Sequence, residues 1–271
     1  MSLRAEIAEL ERLFNIVCNL REQCPWDRQQ TLQEVSKYLI EEAYEAADAI
    51  ARGDRNAIAD ELGDLLVQTL FAAIVAEQNE GVQVLKLIEG ASDKLIRRHP
   101  HVYAGGTTEN ASEVVALWNR IKGEERKAAG SVSALDGVAR SLPALMRAQK
   151  LGMRAAEAGL DWTDIHSVLA KVREEMDEVE GALAAGDLST AASELGDMML
   201  ALANAPRFIG YDAEETLRSA CDKFIRRFRR LERLVSERTL DLNRLTAAQW
   251  DSLWREVKQL DSGAASNETP K

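Results

Sequence analysis

At 271 residues, with 46% apolar and 29% charged side chains, the chain is a soluble globular type, long enough for one large or two ordinary domains. Its formal net charge of −11 argues against a general nucleic-acid binder, which needs a basic face to neutralise phosphates. A phosphorylated small molecule stays open, provided that divalent ions and a few local Lys or Arg residues offset the acidity.

Near the N-terminus Arg4, Glu6, Glu9 and Glu11 interrupt any apolar stretch of the signal-peptide kind. Cys18 and Cys24, with Cys221 far downstream, are odd in number and form no C-x-x-C pair, so they read as reduced cytosolic thiols. With His99 and His101 they match no common zinc spacing. Thr31-x-x-Glu34 is a capping-box signature and starts a helix that runs to about Ile50. Gly53 then suits a helix C-cap, and Asp54 caps a helix from about Asn56 to Glu77. Its apolar run, Leu65 to Ala76, contains Gln68 and Thr69 and is too short to span a bilayer, so a cytoplasmic protein without membrane contact is expected. A further helix around Leu95 and Ile96 carries Lys94 and Arg98 on one side. Residues 123–143 are rich in Gly, Ala, Ser and charge, as in a linker. In the second half Gly186-Asp187 repeats the Gly-Asp punctuation, and Pro206 is expected to kink or end the helix that precedes it. Residues 263–271 read as a disordered tail. No segment shows period-2 alternation bounded by turns, and the expected fold is all-α.

The halves are related. Glu42, Glu45, Gly53, Asp54, Glu61, Gly63 and Asp64 recur as Glu175, Glu178, Gly186, Asp187, Glu194, Gly196 and Asp197, every pair 133 residues apart. Asp93-Lys94-Leu95-Ile96-Arg97-Arg98 returns as Asp222-Lys223-Phe224-Ile225-Arg226-Arg227, and Trp118-x-x-x-Lys122 returns as Trp254-x-x-x-Lys258. The chain is a tandem duplication, with helical units at 1–122 and 144–262.

In each unit an i,i+3 pair of carboxylates lies on one helix and a second pair lies on the next, so each pair shares a face. If the two helices pack antiparallel, Glu42, Glu45, Glu61 and Asp64 converge, as do Glu175, Glu178, Glu194 and Asp197. Oxygen-only ligands suit hard divalent cations, Mg2+ or Mn2+. An E-x-x-E on a surface helix is ordinarily solvated charge. Here the second pair sits within apolar runs, where unpaired charge is expensive, and all four positions keep their spacing in both halves. Lys171, Lys223, Arg227 and Lys258 supply cations for phosphate contacts, and Lys94, Arg98 and Lys122 repeat three of them. Trp254 suits either base stacking or a packed core.

The pattern Glu41-Glu42-x-x-Glu45 with Glu61-x-x-Asp64, and again Glu174-Glu175-x-x-Glu178 with Glu194-x-x-Asp197, resembles the all-α nucleoside triphosphate pyrophosphatases. With Cys24-Pro25-Trp26-Asp27 and the segments RRHPHVY, SLPALMRAQK and KFIRRF, the chain resembles the duplicated MazG form of that superfamily over about residues 5–260. The resemblance implies Mg2+-dependent hydrolysis of (deoxy)nucleoside triphosphates to nucleoside monophosphate and pyrophosphate, with broad base specificity and a role in nucleotide-pool housecleaning or stress. It also implies a homodimer whose sites take helices from both subunits. Catalysis falls to the second unit, with Glu175 and Glu178 as catalytic residues and Glu175, Glu178, Glu194 and Asp197 as metal ligands. Lys171, Glu174, Lys223, Arg227, Trp254 and Lys258 would hold the nucleotide, and Glu42, Glu45, Glu61 and Asp64 would form a second metal site. The competing expectation is a helical dimer that binds or senses nucleotides with little turnover.

Overall fold

The computed structural model describes residues 3–105, 110–128 and 130–265, and divides into two compact units, residues 1–126 and 127–271. Unit 1 holds α1 (Leu3–Gln23), α2 (Leu32–Arg52), α3 (Arg55–Glu80), α4 (Val84–Arg98), the single turn α5 (Pro100–Tyr103) and α6 (Ala111–Ala128). Unit 2 holds α7 (Ala144–Glu157), α8 (Ile165–Ala184), α9 (Leu188–Leu202), α10 (Ala213–Glu237) and α11 (Ala247–Ala265), with 3-10 turns at Pro206–Ile209 and Leu242–Arg244. Among the described residues there is no strand.

Local sequence sets the helix ends. At the start of α2 the Thr31 hydroxyl accepts from the Glu34 amide while the Glu34 carboxylate accepts from the Thr31 amide, so both orphan donors are satisfied. Gly53 closes α2 with φ +68°, a left-handed conformation that costs an L side chain but not glycine. Asp54 then accepts from the Asn56 and Ala57 amides. So short a connection between two long, mutually packed helices makes them an antiparallel hairpin. Gly186 (φ +74°) and Asp187, which caps Ser189 and Thr190, build the same hairpin from α8 and α9. Pro206 marks a 3-10 turn after α9, which ends at Leu202.

Two segments are more helical than their composition implies. The expected linker begins as the last turns of α6, where Glu124 to Ala128 are good helix formers. Helix α11 reaches Ala265, so the expected disordered tail starts helical; its remainder, 266–271, lies outside the described residues.

In unit 1, Val17, Val35, Phe71, Ile74 and Val75 form the core where α1 meets α2 and α3. Buried Arg21 sits at its edge. Its Nε donates to Gln78 Oε1 (2.8 Å) and its Nη1 to the carbonyls of Asp27 and Gln30, which fixes the turn between α1 and α2. A buried guanidinium is tolerable here because backbone and side-chain acceptors surround it. In unit 2, Leu231 and Val235 of α10 pack with Leu253 and Val257 of α11. Gln149 of α7 ties that pair to α7, accepting from the Ala213 amide (2.9 Å) and donating to the Tyr211 carbonyl (3.3 Å).

Helix α7 also approaches fully buried Asn204, just past the end of α9. A Cβ on Gly152 would lie 1.7 Å from Asn204 Oδ1. Asn204 donates to the Leu200 carbonyl (2.9 Å) and fills the space a side chain at 152 would need. Gly152→Ala should therefore destabilise unit 2 by ~1–3 kcal/mol, the usual cost of overpacking, although glycine-to-alanine in a helix is otherwise favourable. Gly181→Ala in α8, where a Cβ meets nothing within 4 Å, should hold or raise stability. Urea unfolding followed by circular dichroism checks the contrast; equal midpoints for the two variants would contradict it.

Candidate metal and nucleotide site

The α8–α9 hairpin carries the four carboxylates of unit 2. Glu175 is 4% exposed, Glu194 is half-buried, and Glu178 and Asp197 are exposed. Glu175, Glu194 and Asp197 each offer a carboxylate oxygen within 4.8 Å of the other two. Trans oxygens on an octahedral Mg2+ stand about 4.2 Å apart, given bonds of roughly 2.1 Å, so the cluster can close on such an ion by small rotamer changes. The donors are all hard oxygens, with no sulfur or imidazole, which fits Mg2+ or Mn2+ and not zinc. Among the described residues, the cysteines and histidines join no such cluster.

Lys171, one turn before Glu175, is the cation of this site. Its Nζ lies 2.6 Å from Glu175 Oε1 and 2.7 Å from Glu174 Oε1. These hydrogen bonds hold the Glu175 carboxyl below its ordinary range and push the lysine up. Glu178 goes the other way. Desolvation and then the charge and hydrogen bond of Glu175 raise its pKa, with Glu194 adding to the effect.

Unit 1 repeats the arrangement with different members. Glu42, Glu45 and Glu61 converge within 4.8 Å, whereas in unit 2 the converging third member is Asp197 and not Glu178. Tyr38 stands where unit 2 has Lys171, 133 residues later. Lacking that cation, Glu42 is raised by desolvation and by Asp64, Glu45 and Glu61, and Glu61 by desolvation and chiefly Glu45. Each cluster thus brings three of the four expected carboxylates together.

The other expected nucleotide contacts stand on a different helix pair. Arg227 of α10 is ion-paired with Asp261 of α11 (2.8 Å), and Trp254 of α11 lies 5.6 Å from Phe224 at the edge of the α10–α11 core. Unit 1 builds the same device: Arg98 pairs with Glu125 (2.6 Å) and lies over Trp118, and Lys122 covers that ring at 4.4 Å. Lys223 and Lys258 are exposed on α10 and α11. Trp254 is therefore part of the packing between two helices and is half-buried. Sequence reasoning missed Glu125 and Asp261. Their shared separation of 136 residues, the same as Trp118 to Trp254, is the signal that finds them.

A family model described as the MazG nucleotide pyrophosphohydrolase domain matches residues 30–103 and 163–231, covering both carboxylate hairpins. The chain belongs to the MazG family. Relatives agree over nearly the whole length. A nucleoside triphosphate pyrophosphohydrolase of Escherichia coli (strain K12) is 44% identical over 256 residues, covering 93% of this chain and 97% of the relative. The nucleoside triphosphate pyrophosphohydrolase/pyrophosphatase MazG of Thermotoga maritima is 34% identical over 250 residues, covering 92% and 95%. YabN of Bacillus subtilis is 38% identical over 239 residues, which are 88% of this chain but 49% of that protein. Within the MazG family this chain is an enzyme, a nucleotide pyrophosphohydrolase, and its two domain copies correspond to the two hairpins.

The shifted carboxyls of the two clusters contribute to the pH dependence of stability of the metal-free protein in opposite directions. Glu42, Glu61 and Glu178 hold protons more tightly folded than unfolded, so their contribution to stability is present in acid and is lost as pH rises through the raised values. Glu175 contributes above its unfolded value and loses that contribution as pH falls through its lowered one. Lys171→Met should move the Glu175 titration upward, as followed by carboxyl-carbon NMR on metal-free protein. An unmoved Glu175 would show that the lysine does not set its charge.

Proposed function

We propose that this MazG-family chain hydrolyses nucleoside triphosphates, with Mg2+, to nucleoside monophosphate and pyrophosphate at the α8–α9 hairpin of unit 2. The observation that carries the reading is the convergence of Glu175, Glu194 and Asp197 beside Lys171. Those three carboxylates would hold the divalent ions; Mn2+ has the same preference for oxygen and can substitute. Bound, the ions supply Lewis-acid stabilisation of the phosphoryl oxygens and lower the pKa of a water.

The chain's own residues do the rest. Glu178 stands outside the converged trio yet interacts with Glu175 and Glu194, which leaves it to take the proton of the attacking water. Attack at the α phosphorus breaks the α–β anhydride, and pyrophosphate leaves. No cysteine or serine is needed as a nucleophile. Lys171 can exchange its carboxylate partners for phosphate oxygens, with Glu174 beside it, and Lys223, Arg227 and Lys258 offer further cations to the polyphosphate. Half-buried Trp254 can stack on the base, and stacking tolerates any base, which accords with broad base selectivity. That selectivity fits the clearing of unwanted nucleotides from the pool.

The reading includes a homodimer. Met176 and Leu183 on α8 and Leu195, Met199 and Leu202 on α9 are exposed, with Met199 at 58%. An apolar stripe beside a charged site is the mark of a protein interface. A second subunit packed there would dry the site and strengthen its electrostatics.

The test is pyrophosphate release from the eight common ribo- and deoxyribonucleoside triphosphates with Mg2+, with Glu178→Ala and Glu45→Ala beside the parent. The expected result is release from several nucleotides, a loss of at least ~100-fold in Glu178→Ala, as for removal of a general base, and little change in Glu45→Ala. Loss in both variants would mean two working sites. No pyrophosphate from any nucleotide would replace the hydrolase reading with that of a nucleotide-binding dimer.

A further inference from the structure

Helices α8 and α9 are joined at one end by the Gly186–Asp187 turn, and the carboxylates of unit 2 lie between that turn and the open end of the hairpin. At the open end an ion pair joins the two arms. Arg207, in the 3-10 turn after α9, donates from Nη1 to Asp161 Oδ2 (3.1 Å) and from Nη2 to Asp161 Oδ1, a bidentate fork. Asp161 stands three residues before Asp164, the N-cap of α8, and also accepts from the Trp162 amide (2.8 Å). The capping box of Asp164 and Ser167 carries that anchorage into the helix. The side chains are 17% exposed for Arg207 and 31% for Asp161, so solvent screens this pair less than a surface one. Arg207 lies over the Phe208 ring (4.2 Å), and its buried Nε has no hydrogen-bond partner, which leaves Asp161 as the acid that holds it.

Unit 1 has no such clasp. The residues 133 positions earlier are Arg28 and Ile74, a cation and a core side chain. There α3 runs for 26 residues to Glu80, and Arg21 ties its last turns, through Gln78, to the loop before α2. Helix α9 has 15 residues and ends at Leu202, about three turns short of that length. The counterpart of Gln78 is Tyr211, which lies beyond the 3-10 turn and has no side-chain amide. The arm that carries Glu194 and Asp197 is thus tied to the entry of α8 by other means. We propose that Asp161 and Arg207 are positioning residues for the metal cluster of unit 2: their ion pair clasps the open end of the hairpin and holds α9 where Glu194 and Asp197 meet Glu175. The proposal rests on the reading of that hairpin as a divalent-metal site. The three carboxylates repel one another before an ion arrives, and spreading the free ends of the helices would relieve the repulsion. A clasp at those ends opposes the spreading and so lowers the reorganisation that metal binding requires. It acts on metal affinity and leaves the chemistry of a fully loaded site much as it was.

Mn2+ binding is measured by calorimetry on the full chain carrying Glu61→Gln, which removes a ligand from the cluster of unit 1. In that background Asp161→Asn keeps the shape and the Trp162 contact but removes the charge. Asp161→Asn and Arg207→Met should each weaken Mn2+ binding roughly tenfold, the scale for outer groups that orient metal ligands. The double variant should be no weaker than either single one, because the two side chains act as a pair. Arg207→Lys, which keeps the charge but not the fork, should recover part of the loss. In pyrophosphate release from ATP, the Mg2+ concentration for half-maximal rate should rise by a similar factor, with the rate at saturating Mg2+ largely kept. A pair that only adds stability would lower the unfolding temperature and leave Mn2+ affinity of the folded protein unchanged, and that result would overturn the proposal. Additive losses in the double variant would overturn it as well. No Mn2+ binding in the Glu61→Gln background would overturn the metal reading of unit 2 itself. Weakened Mn2+ binding in the variants of a parent that releases no pyrophosphate would overturn the hydrolase reading and leave the clasp standing.

Discussion

Four carboxylates on two antiparallel helices are the constraint around which each unit is built. Bringing like charges within a few ångströms is unfavourable unless protons, cations or metal ions intervene. The two units relieve this in different ways. In unit 2 a lysine one turn away holds the Glu175 carboxyl below its ordinary range, while desolvation, and after it the charge of Glu175, raises Glu178. In unit 1 no lysine stands there, and the cost falls on Glu42 and Glu61. The hairpin that imposes the crowding is held by features with no part in chemistry: the glycine C-cap, the aspartate N-cap and, in unit 1, the core that α2 and α3 form with α1.

Duplication followed by divergence accounts for the rest. Both halves keep the carboxylate spacing and an arginine–acid pair between two helices, Arg98–Glu125 and Arg227–Asp261. What differs lies on the second helix of unit 1 and its counterpart: Tyr38 for Lys171, Tyr44 for Asp177, Asp48 for Gly181 and Arg52 for Ala185. These exchanges place the cation at opposite ends of the carboxylate cluster in the two units and give unit 1 two tyrosines that unit 2 lacks, while both keep the hairpin.

Much of this was legible beforehand because the signals are local. Thr31 with Glu34, Gly53 with Asp54 and Gly186 with Asp187 each encode a helix end through a few hydrogen bonds, and Pro206 encodes a stop through a missing donor. The i,i+3 spacing places carboxylates on a common face without reference to the rest of the chain. Less legible was anything decided by side-chain reach between elements. Which three carboxylates converge depends on rotamers and on Lys171, and differs between units of equal spacing. The Arg227–Asp261 pair joins residues 34 apart on two helices, and the contact of Gly152 with Asn204 needs the close approach of α7. The second leaves no trace in the sequence, and the first is signalled only by the 136-residue repeat of Glu125 as Asp261. The length of α6 and α11 was underestimated because Gly, Ser and charge look like linker, although Ala, Glu, Arg and Lys sustain a helix once it has begun.

The proposed hydrolysis requires the carboxylate hairpins to be divalent-metal sites and not merely acidic surfaces. Electron paramagnetic resonance of Mn2+ added to the full chain tests this most directly, with Glu61→Gln/Glu194→Gln as comparison. The account predicts tightly bound Mn2+ in the parent, displaced by excess Mg2+ and largely lost in the double variant. Equal Mn2+ binding by parent and double variant would contradict it.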